Sequence, residues 1–147
     1  MAGNIANREG LCEGEFMQEM PLGAKGSFSL VVTPDHLANR FKDAMLPPVL
    51  ATPVMIMIME NAALNAMKPY LDAGETALGT RVDVRHIAAT PAGRSVTGEA
   101  EVSTIDGRRV EFTIRAMDGT EVIGMGNHER VVIDLARFSR QLALKFG

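Results

Sequence analysis

The chain has 147 residues and a formal net charge of −3; the length suits one domain, and the charge argues against binding nucleic acid through phosphate neutralisation. Cys12 is the single cysteine and cannot close an internal disulfide, so the fold does not depend on oxidation. The first twenty residues carry charge and glycine where a secretory leader needs a continuous apolar stretch, and the apolar run Val54 to Met59 is too short to span a bilayer; together these predict one cytoplasmic domain over residues 1–147 that binds no membrane.

Residues 24–33 alternate as a strand does and end at Pro34. Residues 35–51 mix Asp35, Phe41, Leu46 and the Pro47–Pro48 pair, which predicts an irregular helical turn or two and then an extended loop. The strongest helix covers 53–68. Thr52 suits its N-cap, Pro53 its first position, and Pro69 ends it. Apolar residues run almost all the way round this helix, from Met55, Ile56, Met57, Ile58 and Met59 to Ala62, Ala63, Leu64 and Met67. A helix of that kind is a buried one, and something must wrap it.

The following residues supply the wrapping. Residues 80–89 alternate, with Val82, Val84, His86 and Ala88 on one face against Arg81, Asp83 and Arg85. Residues 95–104 alternate again, with Val96, Gly98, Ala100 and Val102 on the apolar face. Asp106–Gly107 is a two-residue hairpin signal, followed by Val110, Phe112, Ile114 and Ala116 on one face. Asp118–Gly119 turns the chain into a last strand near 121–133, and Asp134 can cap a C-terminal amphipathic helix, LARFSRQLALKF. Strands that are apolar on one face only predict an α+β fold, a curved antiparallel sheet folded round the helix. A flat two-layer sandwich would satisfy the same pattern.

Three side chains could carry chemistry. Glu60 sits in the middle of the most hydrophobic helix, where an unpaired ionised carboxylate would cost several kcal/mol. Such a carboxylate suits a general base or nucleophile. A narrow polar edge of Glu60, Asn61, Asn65 and Lys68, facing water or a partner subunit, explains the same residues equally well. His86 lies on the inward face of its strand, where it could orient an acid or move a proton. A lone inward histidine is more often a core residue bonded to a backbone carbonyl. Capping fully accounts for Thr52; the alternative is a hydroxyl held beside a helix N-terminus, where a developing oxyanion is favoured. Eight residues of helix put Thr52 about 12 Å from Glu60 along the axis, so either a substrate spans that gap or facing subunits complement each other. His36 and His128 show no metal-ligand spacing, and no metal is expected. Arg130 could pair with Glu129 or Asp134 on the surface, or meet a phosphate. The Gly124-Met125-Gly126 stretch reads as a bulge or a close backbone approach.

At this point the residues resemble a known family. The stretch LATPVMIMIMENAALNAMKPYLDAGETALGTRVDVRHIAATPAGRSV and the ending GMGNHERVVIDLARF are similar to the fluoroacetyl-CoA thioesterase group of the hotdog superfamily, over roughly residues 49–138. The resemblance implies a long central helix wrapped by the sheet, and a homodimer with sites at the subunit interface. It implies an acyl-CoA substrate and no cofactor, CoA being part of the substrate. It places the catalytic threonine, glutamate and histidine on Thr52, Glu60 and His86, a functional glycine on Gly79 and a substrate-binding arginine on Arg130. Asp43 and Leu46 stand where the fluoroacetyl-specific enzyme carries gating phenylalanines, so Leu46 is expected to meet the substrate without an aromatic lid. The expected activity is therefore hydrolysis of a short or medium acyl-CoA; the resemblance is not carried as far as fluoroacetate resistance. A non-catalytic acyl-CoA-binding module, or a hydratase or dehydratase on the same fold, remains open on these residues.

Overall fold

The computed structural model describes residues 19–147 and, of the first eighteen, only Asn7, Arg8, Leu11 and Cys12. Five strands form one antiparallel sheet: β1 (Lys25–Val31), β2 (Glu75–His86), β3 (Ser95–Asp106), β4 (Arg109–Asp118) and β5 (Glu121–Asp134). Their order across the sheet is β1-β3-β4-β5-β2. The long helix α1 (Thr52–Met67) packs against it, and a second helix, α2 (Leu135–Phe146), follows the last strand. Between β1 and α1 run a 3-10 turn at Pro34–His36 and one helical turn at Ala38–Phe41, the irregular passage expected there.

The alternation read from the sequence decides which face encloses the helix. Val96, Gly98, Ala100 and Val102 on β3, and Val110, Phe112, Ile114 and Ala116 on β4, are all buried, while their alternate neighbours face out. Val54, Met55, Ile58, Met59, Ala62, Ala63, Ala66 and Met67 of α1 close against them. Both tight turns lie one residue later than expected, at Gly107–Arg108 and Gly119–Thr120; each glycine takes the positive φ the turn needs. As expected, the Asp134 side chain caps α2, accepting from the Arg137 amide at 2.9 Å.

Gly26 marks where helix and sheet touch most closely. A methyl group there would run into the backbone amide of Ala66 and the carbonyl of Ala62. Backbone cannot step aside as a side-chain tip can, so Gly26→Ala should push α1 off the sheet. A loss of about 3 kcal/mol in chemical denaturation is expected.

Two sequence expectations need correction. The helix is not enclosed all round: Met57 is 37 % exposed, and Ile56, Glu60, Asn61 and Leu64 are only half-buried, leaving one stripe uncovered. Five strands curl round the rest of the helix, and no described element covers this stripe. Second, β2 begins at Glu75 and stops at His86, five residues earlier and three earlier than its alternation suggests. It is an edge strand, so Val82 is 37 % exposed instead of buried.

Glu75, at the start of β2, has its pKa raised to about 7, first by burial and then by the nearby Asp72 and Asp134, against a hydrogen bond from the Asp72 amide. Below pH 4.5 the group is protonated in both folded and unfolded chains and costs nothing. Between pH 4.5 and 7 the unfolded chain ionises first, so stability falls as pH rises. Glu75→Gln should therefore stabilise the protein at pH 8 by on the order of 1 kcal/mol, allowing for solvent screening, and by nothing at pH 4. Urea melts at the two pH values test this.

Candidate active site

Helix α1 starts one residue earlier than expected. Ala51 occupies the N-cap position and Thr52 is the first helical residue, so the Thr52 hydroxyl does not cap the helix. It bonds instead to His86 Nδ1 at 2.8 Å. Capping therefore does not account for Thr52. His86 is the last residue of β2, and with Thr52, Leu46, Val49 and Ile87 it lines an open cleft of about 400 Å³. Leu46 thus stands at this cleft. Lys42 is the charged member of the lining. Burial lowers the His86 pKa below the ordinary histidine value, countered in part by the Ala88 backbone, so the ring favours its neutral form. Its Nε2 is buried and has no hydrogen-bond partner among the described residues.

Glu60 lies two turns further along α1 and belongs to a different cluster. Its Oε2 is 3.8 Å from Arg130 Nη1. The carboxylate is 37 % exposed, on the uncovered stripe of the helix, and the guanidinium is buried at 10 %. Within one chain Glu60 and His86 are therefore not neighbours. The helical rise keeps Glu60 about 12 Å from the Thr52–His86 pair. The expected polar edge of the helix is also present, since Asn61 and Asn65 share the half-buried stripe and Asn65 bonds the Ser27 carbonyl at 2.8 Å.

Arg130 does not pair on the surface with Glu129 or Asp134. It points inward from β5, where Nη2 donates to the Ala77 carbonyl at 2.8 Å and Nη1 to His128 Nε2 at 3.2 Å. Burial lowers its pKa and the facing Glu60 carboxylate raises it again. Gly79 of β2 sits opposite Arg130 in the sheet, at a break in the strand register. A side chain at Gly79 would meet Glu60 Oε2 at 2.8 Å, His128 Cε1 at 3.3 Å and Arg130 Nη1 at 3.4 Å. The sequence signals alone overlooked His128, because a histidine next to Glu129 and Arg130 reads as part of a charged surface strand. Its alternation with Gly126 and Arg130 was the available clue.

The would-be neighbour of Gly79 is the tip of a flexible side chain, so Gly79→Ala can fold by turning Glu60 aside. Its expected effect is the reverse of that at Gly26: melting temperature nearly unchanged, and turnover reduced roughly tenfold or more through a displaced carboxylate. Kinetics and a thermal melt on the same preparation separate the two.

No group of three or more His, Cys, Asp or Glu side chains among the described residues could hold a metal. No helix among them is long and apolar enough to cross a membrane.

Comparison with known proteins adds the family. Residues 32–136 match the family described as FlK, fluoroacetyl-CoA-specific thioesterase. A fluoroacetyl-CoA thioesterase of Streptantibioticus cattleyicolor is 41 % identical over 131 residues, covering 86 % of this chain and 94 % of that protein. A solved structure of the fluoroacetyl-CoA thioesterase FlK superposes with a TM-score of 0.81 at 39 % identity, covering 87 % of this chain and 98 % of that one. A Thermus thermophilus protein described as a thioesterase superfamily member superposes at 0.80 with 31 % identity, covering 88 % and 98 %. A hot-dog-like protein of Thermanaerovibrio acidaminovorans, 23 % identical with a TM-score of 0.78 and covering 87 % and 94 %, shares the fold.

Proposed function

We propose, from the premise that the chain belongs to the fluoroacetyl-CoA-specific thioesterase family, that it hydrolyses the thioester of a short or medium acyl-CoA with Thr52, Glu60 and His86 as its catalytic residues. The observation that carries this reading is the Thr52–His86 hydrogen bond of 2.8 Å at the mouth of a cleft. It gives the hydroxyl a partner that helix capping would not.

Two half-sites call for two chains. β2 is a free edge, and Leu78, Val82 and Met57 are exposed beside it. An unpaired edge flanked by apolar side chains suits a homodimer. Antiparallel pairing of β2 with its own copy about a two-fold axis between Val82 and Asp83 would set Gly79 of one strand opposite His86 of the other. Glu60, Gly79 and Arg130 of one chain would then face Thr52 and His86 of the second, closing the 12 Å gap that one helix leaves.

In that arrangement Glu60 activates water, or attacks the thioester carbonyl to form an anhydride that water opens. Neutral His86 handles the proton, Thr52 holds the reacting group, and Arg130 supplies positive charge near the developing oxyanion. Leu46, Val49 and Ile87 give the acyl cleft an aliphatic lining, which suits a plain acyl chain and lacks the ring faces that would enclose a fluoromethyl group. The cytoplasm, with its CoA pool, is the proposed location.

The test is thiol release from a panel of short, branched, aromatic and fluorinated acyl-CoAs. Release from the short and medium aliphatic members, with no strong preference for fluoroacetyl over acetyl, supports the proposal. Tight binding of CoA esters without thiol release would overturn it.

A further inference from the structure

His128 is one of two buried ionisable side chains among the described residues, at 1 % exposure, with the Phe112 ring stacked on it at a centroid distance of 6.0 Å. Both its nitrogens are engaged, and their partners dictate the tautomer. The Arg81 carbonyl, 2.8 Å from Nδ1, can only accept, so Nδ1 carries the proton. Nε2 therefore presents a lone pair. The Arg130 guanidinium, which can only donate, takes it through Nη1 at 3.2 Å.

Arg130 is thus held by two neutral acceptors, His128 Nε2 and the Ala77 carbonyl. The same Nη1 lies 3.8 Å from Glu60 Oε2, close enough to share charge and too far for a hydrogen bond. A guanidinium beside a carboxylate ordinarily closes into a short forked pair. Here something holds it back. We propose that His128 is a positioning residue that anchors Arg130 beside Glu60 and keeps it from capturing the carboxylate, leaving both oxygens of Glu60 available for reaction. This rests on the thioesterase reading. Burial, the first cause of its lowered pKa, keeps the ring neutral, so that the lone pair persists; the charges facing the ring are Arg130, Glu60 and Glu129.

Two replacements separate positioning from packing. In His128→Leu the acceptor for Arg130 and the donor to the Arg81 carbonyl are both lost. In His128→Gln the side-chain carbonyl can again accept from Arg130. The expected result is a fall in kcat of roughly tenfold or more for His128→Leu, together with a lowered melting temperature from the buried groups left unpaired, and recovery of most of the kcat loss in His128→Gln. In an Arg130→Lys background, His128→Leu should cost much less than it does alone, because the group it positions is gone. Equal kcat in the Leu and Gln variants, or an undiminished cost in the Arg130→Lys background, would overturn the proposal. The parent reading is judged on the unsubstituted protein: failure to release thiol from every acyl-CoA removes the hydrolase assignment itself, whereas an active protein indifferent to His128 removes only this inference.

Discussion

Glu60→Gln should lower kcat for thiol release by roughly 10³-fold or more while leaving the fold in place. The amide keeps the size and planarity of the carboxylate and removes its charge and basicity. A thousandfold loss corresponds to about 4 kcal/mol of transition-state stabilisation. The stability cost is much smaller. Glu60 is 37 % exposed and its contact with Arg130 is 3.8 Å long, so the lost ion pair contributes no more than about 1 kcal/mol. Arg130 also keeps its bonds to Ala77 and His128, so the guanidinium stays in place although it loses the carboxylate that offsets its burial. Comparing kcat with the midpoint of a urea melt therefore separates chemistry from folding. A variant retaining a third of wild-type turnover would end the assignment of Glu60. Single-turnover hydrolysis in H₂¹⁸O tests the nucleophilic role: if water opens the anhydride at the Glu60 carbonyl, Glu60 acquires the label, whereas a general base leaves all of it in the product acid.

The elements legible in the sequence are those where one physical signal dominates. Alternation on β3 and β4 identified every inward residue, because both strands are central and covered on one face only. β2 was the least legible strand. It lies at the sheet edge, carries Gly79 at a register break, and buries little of its length in one chain, so its first five residues gave no alternating signal. The uncovered stripe on α1 was hidden for a related reason. Ile56 and Met57 look like core residues, yet the sheet of a single chain does not reach them. An apolar side chain that lies outside the sheet cannot be told by composition from one that packs under it.

The site was legible by residue type and not by grouping. Thr52, Glu60, His86, Gly79, Arg130 and Leu46 all stand at polar clusters or at the cleft. Glu60 on the helix and His86 on the sheet were read as members of one site, yet they do not meet within one chain. In fact two turns of helix separate the clusters, and a residue's position along a helix axis fixes its reach more firmly than the face it shares.

Replacing His86 should have the second large effect, a fall in kcat/KM of roughly 10²- to 10³-fold for His86→Ala at neutral pH. The argument turns on which protonation state works. Burial lowers the pKa of the ring, so a neutral imidazole is available throughout the neutral range and is lost only as pH falls through that lowered value. The acid limb of wild-type kcat/KM that His86 contributes should accordingly lie below pH 6.5, the ordinary histidine value, and should disappear in His86→Asn. Thr52 acts through the same hydrogen bond. Removing its hydroxyl in Thr52→Val should add little to the loss already caused by His86→Ala, since the two side chains work as one unit. Stability should hardly follow activity. The ring gives up one hydrogen bond to a hydroxyl on an exposed residue, a change of about 1 kcal/mol or less. If pH profiles of the wild type and His86→Asn superimpose, or if Thr52→Val and His86→Ala multiply as independent defects, the imidazole takes no part in the proton transfer and Thr52 serves only the start of its helix.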